Sequence, residues 1–313
     1  MKIQATGALL AALLSAPAAG AAPLTAPAVE KAIRSRLASF QGELGVYAQN
    51  LDTGETIAVN ADQRFPTASV IKVAVMVEAF HQIAEGKITP DQLLTLDQAI
   101  KVEGSGVLFA LRPGSQYSIA DLLYLMIAIS DNTATNLLVD LVGTRNVDDR
   151  MVAYGFPQIR LYRGTYRQGK PEVFPEEEKE FGLGSSTPRQ MAGLLEAIAR
   201  GKAVSEKASE EMMALLRRQQ DGNMIPRRLP EREDIVIGSK SGTTSDPLPD
   251  AKGQKGTVRN DVGVVKTKHG RYVIAIFTRH GRDTRDGIEN ASLLAGADVS
   301  RLVFDHWDRG PGR

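Results

Sequence analysis

The stretch 67–80, T-A-S-V-I-K-V-A-V-M-V-E-A-F, constrains the fold of this chain more than any other. Valine, isoleucine, alanine and methionine occupy every side of it, so as a helix it must be buried all round and not only along one stripe. A lysine sits in its middle. Taking an ammonium out of water is costly unless it is paired or gives up its proton, so Lys72 needs an explanation that its neighbours do not. Ser69 lies three residues earlier, and positions i and i+3 share a helix face, which puts a hydroxyl and an amine in one pocket. The alternation of Val73, Val75 and Val77 also suits a strand. Length and punctuation decide for a helix: the pattern runs through Ala79, Gln82 and Ala84 to Gly86, and Pro66 and Thr67 mark its start, with Thr67 as N-cap. Ser69 then falls in the first turn, where free N–H groups and the helix dipole favour developing negative charge.

Around this helix the pattern changes twice. Residues 29–39 suit a short amphipathic helix, and two strands, 45–51 and 56–59, flank the turn Asp52-Thr-Gly-Glu as a β-hairpin. Residues 89–115 are loop-like and glycine-rich. Ser118-Ile-Ala-Asp121 resembles a capping box opening a second all-round apolar helix, 122–129, that stops at Ser130. Helical patterns recur at 132–141, 188–200 and 205–219, with a polar stretch at 160–186 whose acid-rich part has little apolar periodicity. In the last third, 235–238, 258–267 and 272–279 suit strands, and 287–307 a closing helix. Strands at both ends with helices between them predict one α+β catalytic domain. Its sheet is drawn from 29–66 and 220–313, and an all-α region, 67–219, is inserted.

Composition closes several routes. With 42% hydrophobic and 24% charged residues the chain is ordinary for a folded protein, and a formal net charge of +1 offers no surface for nucleic acid or an anionic membrane. The absence of cysteine rules out disulfides, thiolate nucleophiles and thiol metal sites. His81, His269, His280 and His306 are scattered without ligand spacing, so neither a metal site nor a cofactor is expected. The first 21 residues, one positive charge, a short apolar core and then small residues, have the layout of a secretory signal peptide cleaved after Ala21. The apolar core is shorter than the ~20 residues that a bilayer needs, and no later stretch spans one, so the expected location is the periplasm or the medium.

Three short motifs carry chemistry. Ser69 and Lys72 suit a nucleophile and its base, although S-x-x-K alone specifies little. To act near neutral pH the lysine must fall from a reference pKa of ~10.4 to about 7, roughly 4 to 5 kcal/mol in favour of the neutral amine, which an apolar helix and a second nearby cation can supply. Ser130-Asp131-Asn132 follows a buried helix and is either a helix stop with its N-cap or the wall of a polar pocket. Lys240-Ser241-Gly242-Thr243 stands at the end of a predicted strand: a plain turn, or a cation, a hydroxyl and an unobstructed backbone for a substrate that pairs along the strand edge.

Together and in this order the three motifs resemble those of the penicillin-interacting serine enzymes, most closely the class A β-lactamases, over essentially all of 29–307. The third motif has serine where threonine is common. The resemblance implies the serine β-lactamase/transpeptidase-like fold with the site in the cleft between its two parts. It implies that Ser69 attacks a carbonyl with Lys72 as proton acceptor, that the N–H groups of Ser69 and Thr243 form the oxyanion hole, and that Ser130, helped by Lys240, protonates the leaving nitrogen. Asn132 would bind the substrate's side-chain amide, Ser241 and Arg259 its carboxylate, and Asp131 would hold the turn. A monomer acting on β-lactams is expected, with a D,D-carboxypeptidase cleaving D-Ala-D-Ala-type peptides, or a β-lactam-binding module that acylates without turnover, as alternatives. Two departures stand out. The E-x-x-L-N pattern that carries the family's water-activating glutamate is missing, leaving Glu172 or Glu180 as substitutes. Residues 245–256 also read as an insertion at the cleft rim.

Overall fold

The structure, a computed structural model, describes residues 26–166 and 174–309. In chain order come α1 (Ala26–Leu37), β1 (Glu43–Asn50), β2 (Thr56–Val59), β3 (Phe65–Pro66), α2 (Lys72–Ala84), β4 (Leu93–Thr95), β5 (Gln116–Ser118), α3 (Ile119–Ala128), α4 (Asn132–Val142) and α5 (Thr144–Ala153). There follow β6 (Arg160–Leu161), α6 (Pro175–Phe181), β7 (Gly184–Ser186), α7 (Pro188–Ala199), α8 (Glu206–Leu216), β8 (Val236–Ser245), β9 (Thr257–Thr267), β10 (Gly270–Arg279) and α9 (Ala291–Trp307). The proposed signal peptide lies outside the described residues. Among the described residues no helix is long and apolar enough to cross a membrane.

The main sheet has the order β2-β1-β10-β9-β8, antiparallel throughout, so strands from both ends of the chain meet where β1 pairs with β10. Its two faces explain why β10 is apolar without alternation. Ile274 and Ile276 pack with Val29 and Ile33 of α1 and Val299 and Val303 of α9, while Val273, Ala275 and Phe277 join α2, α3, α4 and α7 in the larger core. The inserted region is mainly helical but not all-α as expected, since it also carries the short strands β4 to β7, and α2 runs through its middle with Lys72–Phe80 entirely buried.

Five further expectations from the sequence are not met. Before α2 the chain makes a tight 3-10 turn, Ala68–Ile71, and Thr67 does not cap it, since its hydroxyl is buried without a partner. Strand β8 extends to Ser245, so Lys240-Ser241-Gly242-Thr243 lies within the strand and not at its end. As an edge strand it pairs on one side only, and its polar residues gave no apolar alternation to follow. The segment 89–115 contains β4, which pairs with β5, and α5 and α6 occupy stretches where no helix was expected. In α6 the signal is masked by its acidic first turn, which suits a helix N-terminus.

The helix junction at 130–132 is held by one carboxylate. Ser118 and Asp121 form the expected capping box on α3, which ends where Ser130 takes a left-handed backbone with φ 58°. Asp131 then caps α4 by accepting from Ala134 N at 2.8 Å, and its other oxygen accepts from Val107 N at 2.6 Å and Leu108 N at 2.9 Å. Replacing it strands three backbone donors. Asp131→Ala should lower unfolding stability by about 3 kcal/mol in denaturant melts; a loss within experimental error would show the junction to be held otherwise.

Candidate active site

Three walls converge on Ser69. Its own turn is fixed to the sheet by Asn260 of β9, whose Nδ2 donates to Pro66 O at 2.8 Å and Thr67 O at 3.1 Å. Thr67 N donates to Gly184 O of β7 at 2.9 Å. Ala68, immediately before the serine, has a left-handed backbone with φ 46°, a conformation that a non-glycine residue keeps only where its surroundings impose it.

The second wall is the turn between α3 and α4. Lys72 is wholly buried, and its Nζ bonds Ser130 O at 2.7 Å, Ser130 Oγ at 3.1 Å and Asn132 Oδ1 at 2.9 Å. The amine expected beside Ser69 thus has its three hydrogen bonds on the S-D-N motif and not on Ser69. Burial drives its pKa well down, the Lys240 charge presses the same way, and Asp131 opposes both. The partner set suits a neutral amine. Two partners are carbonyl oxygens that can only accept, and the third, a hydroxyl, can donate to the nitrogen lone pair. Asn132 in turn gives its Nδ2 to Glu103 O at 3.2 Å.

Strand β8 forms the third wall. Lys240, also fully buried, donates to Ser241 O at 2.9 Å and reaches Gln219 Oε1 at 3.5 Å. Its pKa is pushed down to about 8 by burial, against the opposing charges of Asp261 and Asp221. Ser241 N donates to Gln219 Oε1 and so points away from β9. Since N–H direction alternates along an antiparallel strand, Thr243 N–H points the same way, toward the turn that carries Ser69. Gly242 sits between them at a close approach: a Cβ there would lie 2.7 Å from Thr67 O and 3.0 Å from Ser69 N.

Ser69, Ser105 and Thr243 line two adjoining cavities. One, of about 360 Å³, is also bounded by Ser130, Lys240, Ser241, Gln219 and Asp221. The other, of about 260 Å³, takes in Asn132, Thr165, Tyr166, Phe181, Asp246 and Lys255. Arg259 lines neither. It is 3% exposed, and its guanidinium bonds Thr244 O, Val258 O, Arg285 O and Asp286, so it stands apart from the carboxylate-binding role expected of it. No glutamate is among the described residues lining either cavity. Glu180 turns instead to Arg279 at 3.7 Å and Glu178 to Arg163 at 2.7 Å, while Glu177 pairs with Arg64. Glu172 lies outside the described residues. Gln219 and Thr165 on the cavity walls, and Asp261 buried behind Lys240, carry no local sequence signal, because only long-range pairing brings them there.

The chain as a whole has known relatives. A model of the beta-lactamase enzyme family matches residues 28–307. A beta-lactamase of Streptomyces lavendulae is 28% identical over 305 residues, 94% of each chain. A beta-lactamase structure from Sphaerobacter thermophilus superposes with a TM-score of 0.76 at 33% identity, covering 90% of this chain and 97% of that one. A variant of PBP-A, solved as an acyl-enzyme complex with penicillin G, superposes with a TM-score of 0.73 at 27% identity, covering 90% of this chain and 96% of that one.

Two outcomes test the geometry. Gly242→Ala forces backbone apart at the Ser69 turn and should cut kcat/KM for a chromogenic cephalosporin by at least about 100-fold; a change of a few-fold would mean the strand can shift freely. Lys240 loses its charge as pH rises through about 8, so kcat/KM should fall on that alkaline limb, and Lys240→Arg, which keeps its charge, should move the limb upward. An unmoved limb would assign it to another group.

Proposed function

The chain belongs to the beta-lactamase enzyme family, as a serine hydrolase of the class A kind, and on that premise we propose that it hydrolyses β-lactam amides through an acyl-enzyme on Ser69. The observation that carries this reading is the buried Lys72 amine, bonded to Ser130 Oγ and Asn132 Oδ1 beside a cleft that Ser69 lines.

In this mechanism the Lys72 amine takes the proton of Ser69 Oγ as that oxygen bonds to the β-lactam carbonyl carbon. The carbonyl oxygen becomes an oxyanion held by the N–H groups of Ser69 and Thr243, each worth roughly 2.7 to 4 kcal/mol. The proton then travels from Lys72 to Ser130 Oγ, 3.1 Å away, and the Ser130 proton goes to the ring nitrogen as the C–N bond breaks. Lys72 is neutral again when the acyl-enzyme has formed. Lys240 and Ser241, at the wall of the larger cavity, bind the substrate carboxylate, and the smaller cavity takes the acyl side chain with Asn132 on its amide. Arg259 has no part in this assignment. The leader 1–21 directs export, and the mature enzyme works alone in the periplasm or the medium.

A D,D-peptidase is the less favoured alternative, since the matched family and the Streptomyces lavendulae relative are β-lactamases. A time course with excess chromogenic cephalosporin, followed by intact mass of the same sample, separates the two. Sustained turnover with a mass beginning at Ala22, and loss of all labelling in Ser69→Ala, is the expected result. A single stoichiometric burst with a stable adduct would favour the peptidase, and labelling that survives Ser69→Ala would remove the nucleophile.

A further inference from the structure

Hydrolysis of an acyl-enzyme needs a water held against the acyl carbon, and Glu177, Glu178 and Glu180 of α6 are engaged by Arg64, Arg163 and Arg279. One residue of the smaller cavity's wall is conspicuous by contrast. Thr165 follows Arg163 and Gly164 on the loop after β6 and is 6% exposed. Asn136 of α4 clamps its backbone from both sides: Thr165 N donates to Asn136 Oδ1 at 2.7 Å, and Asn136 Nδ2 donates to Thr165 O at 3.1 Å. The side-chain hydroxyl, Thr165 Oγ1, is buried and has no hydrogen-bond partner. Thr165 itself is on the wall of the cavity that Ser69 and Asn132 also line.

A buried hydroxyl without a partner costs about as much as a lost hydrogen bond, and native proteins satisfy such groups with water. Here the backbone is held in place by a second side chain, so the hydroxyl is presented at a fixed position. Tyr166 extends over the same cavity, its ring 3.1 Å from where a Cβ on Gly104 would stand, and this narrows the access of bulk solvent.

We propose that Thr165 is the positioning residue for the hydrolytic water, its hydroxyl holding the water against the acyl group on Ser69. The inference rests on the acyl-enzyme reading above. In the step, the water oxygen bonds to the acyl carbon and its proton passes to the neutral Lys72 amine. The C–O bond to Ser69 Oγ then breaks, and the Lys72 ammonium returns the proton to that oxygen. One water is consumed, the free acid leaves, and Ser69 and Lys72 regain their starting protonation. Deacylation by this route uses a hydroxyl and an amine, with no carboxylate taking part.

The test separates acylation from deacylation in the full mature chain. Rapid-quench intact mass with benzylpenicillin gives the rate at which the Ser69 adduct forms, and its decay after removal of excess substrate gives its lifetime. Thr165→Val keeps the shape and removes the hydroxyl; it should lengthen the adduct lifetime about tenfold or more while adduct formation changes only a few-fold. Thr165→Ser restores the hydroxyl and should return the lifetime to near that of the unmodified enzyme, with thermal melts showing all three folded. A lifetime unchanged in Thr165→Val, or formation and decay slowed together, would overturn the role of Thr165. Absence of any Ser69 adduct in the unmodified enzyme would instead overturn the acyl-enzyme reading beneath it.

Discussion

The rest of the structure depends on the buried nitrogen of Lys72. Moving an ammonium fully out of water costs several kcal/mol even after relaxation, and no carboxylate bonds this one to offset it. Burial, with the Lys240 charge pressing the same way, therefore favours the neutral amine, in the direction its pKa moves. A buried amine still needs partners, and supplying them organises the helical region. Helix α3 must stop at Ser130 in a left-handed conformation, and α4 must begin at Asn132, for three oxygens to converge on one nitrogen.

The sheet presents backbone donors opposite Ser69, the proposed nucleophile. An edge strand leaves every second N–H unpaired by its neighbour, which is a hazard on an open surface. In β8 that edge faces the Ser69 turn, and the absence of a side chain at Gly242 lets the two backbones approach. Asn260 ties the other side, with its amide spanning from Thr278 N on β10 to the carbonyls of Pro66 and Thr67. The turn before α2 is therefore fixed by side chains from a strand nearly two hundred residues away in sequence. That distance explains why the active site requires the N- and C-terminal strands to share one sheet.

Much of this was legible in the sequence wherever apolar pattern and chemistry coincide. The buried helix with its lysine, the capping box at Ser118 and the strands β9 and β10 each carry a local signal, and the three motifs in order identify the family. What escaped has a common physical cause. Strand β8 is polar where it borders the cleft, so its hydrophobic signal stops before its hydrogen bonding does. Helices α5 and α6 are short and rich in charge, with Val147 and Met151 in α5 and Phe181 in α6 as their buried apolar residues. Thr67 reads as a cap, yet a 3-10 turn and the Asn260 clamp hold that segment instead. Arg259 looks like a binding cation because its side chain is charged. Burial turns it inward to backbone carbonyls, which only the fold reveals.

The placement of carboxylates around the two buried lysines follows from the same energetics. A carboxylate in contact with Lys72 would hold its proton and disable it as a base. Asp131 is the neighbour of both residues that bond the amine, but its oxygens are spent on the backbone N–H groups of Val107, Leu108 and Ala134. It steadies the junction, and its charge reaches Lys72 only as the smaller opposing influence. Lys240 is treated differently. Asp261 lies directly across from Ser241 on β9, wholly buried, with one oxygen accepting from Ile225 N at 3.0 Å. Burial pushes its pKa up to about 7 while the Lys240 charge pulls it down, and together with Asp221 it resists the loss of the Lys240 proton. One lysine is thereby kept from carboxylates and favours the neutral amine, and the other is backed by two and stays cationic near neutral pH. That difference in charge state, set by the residues behind each amine and not by the amines themselves, is what the proposed mechanism asks of two chemically identical side chains, one as base and one as cation.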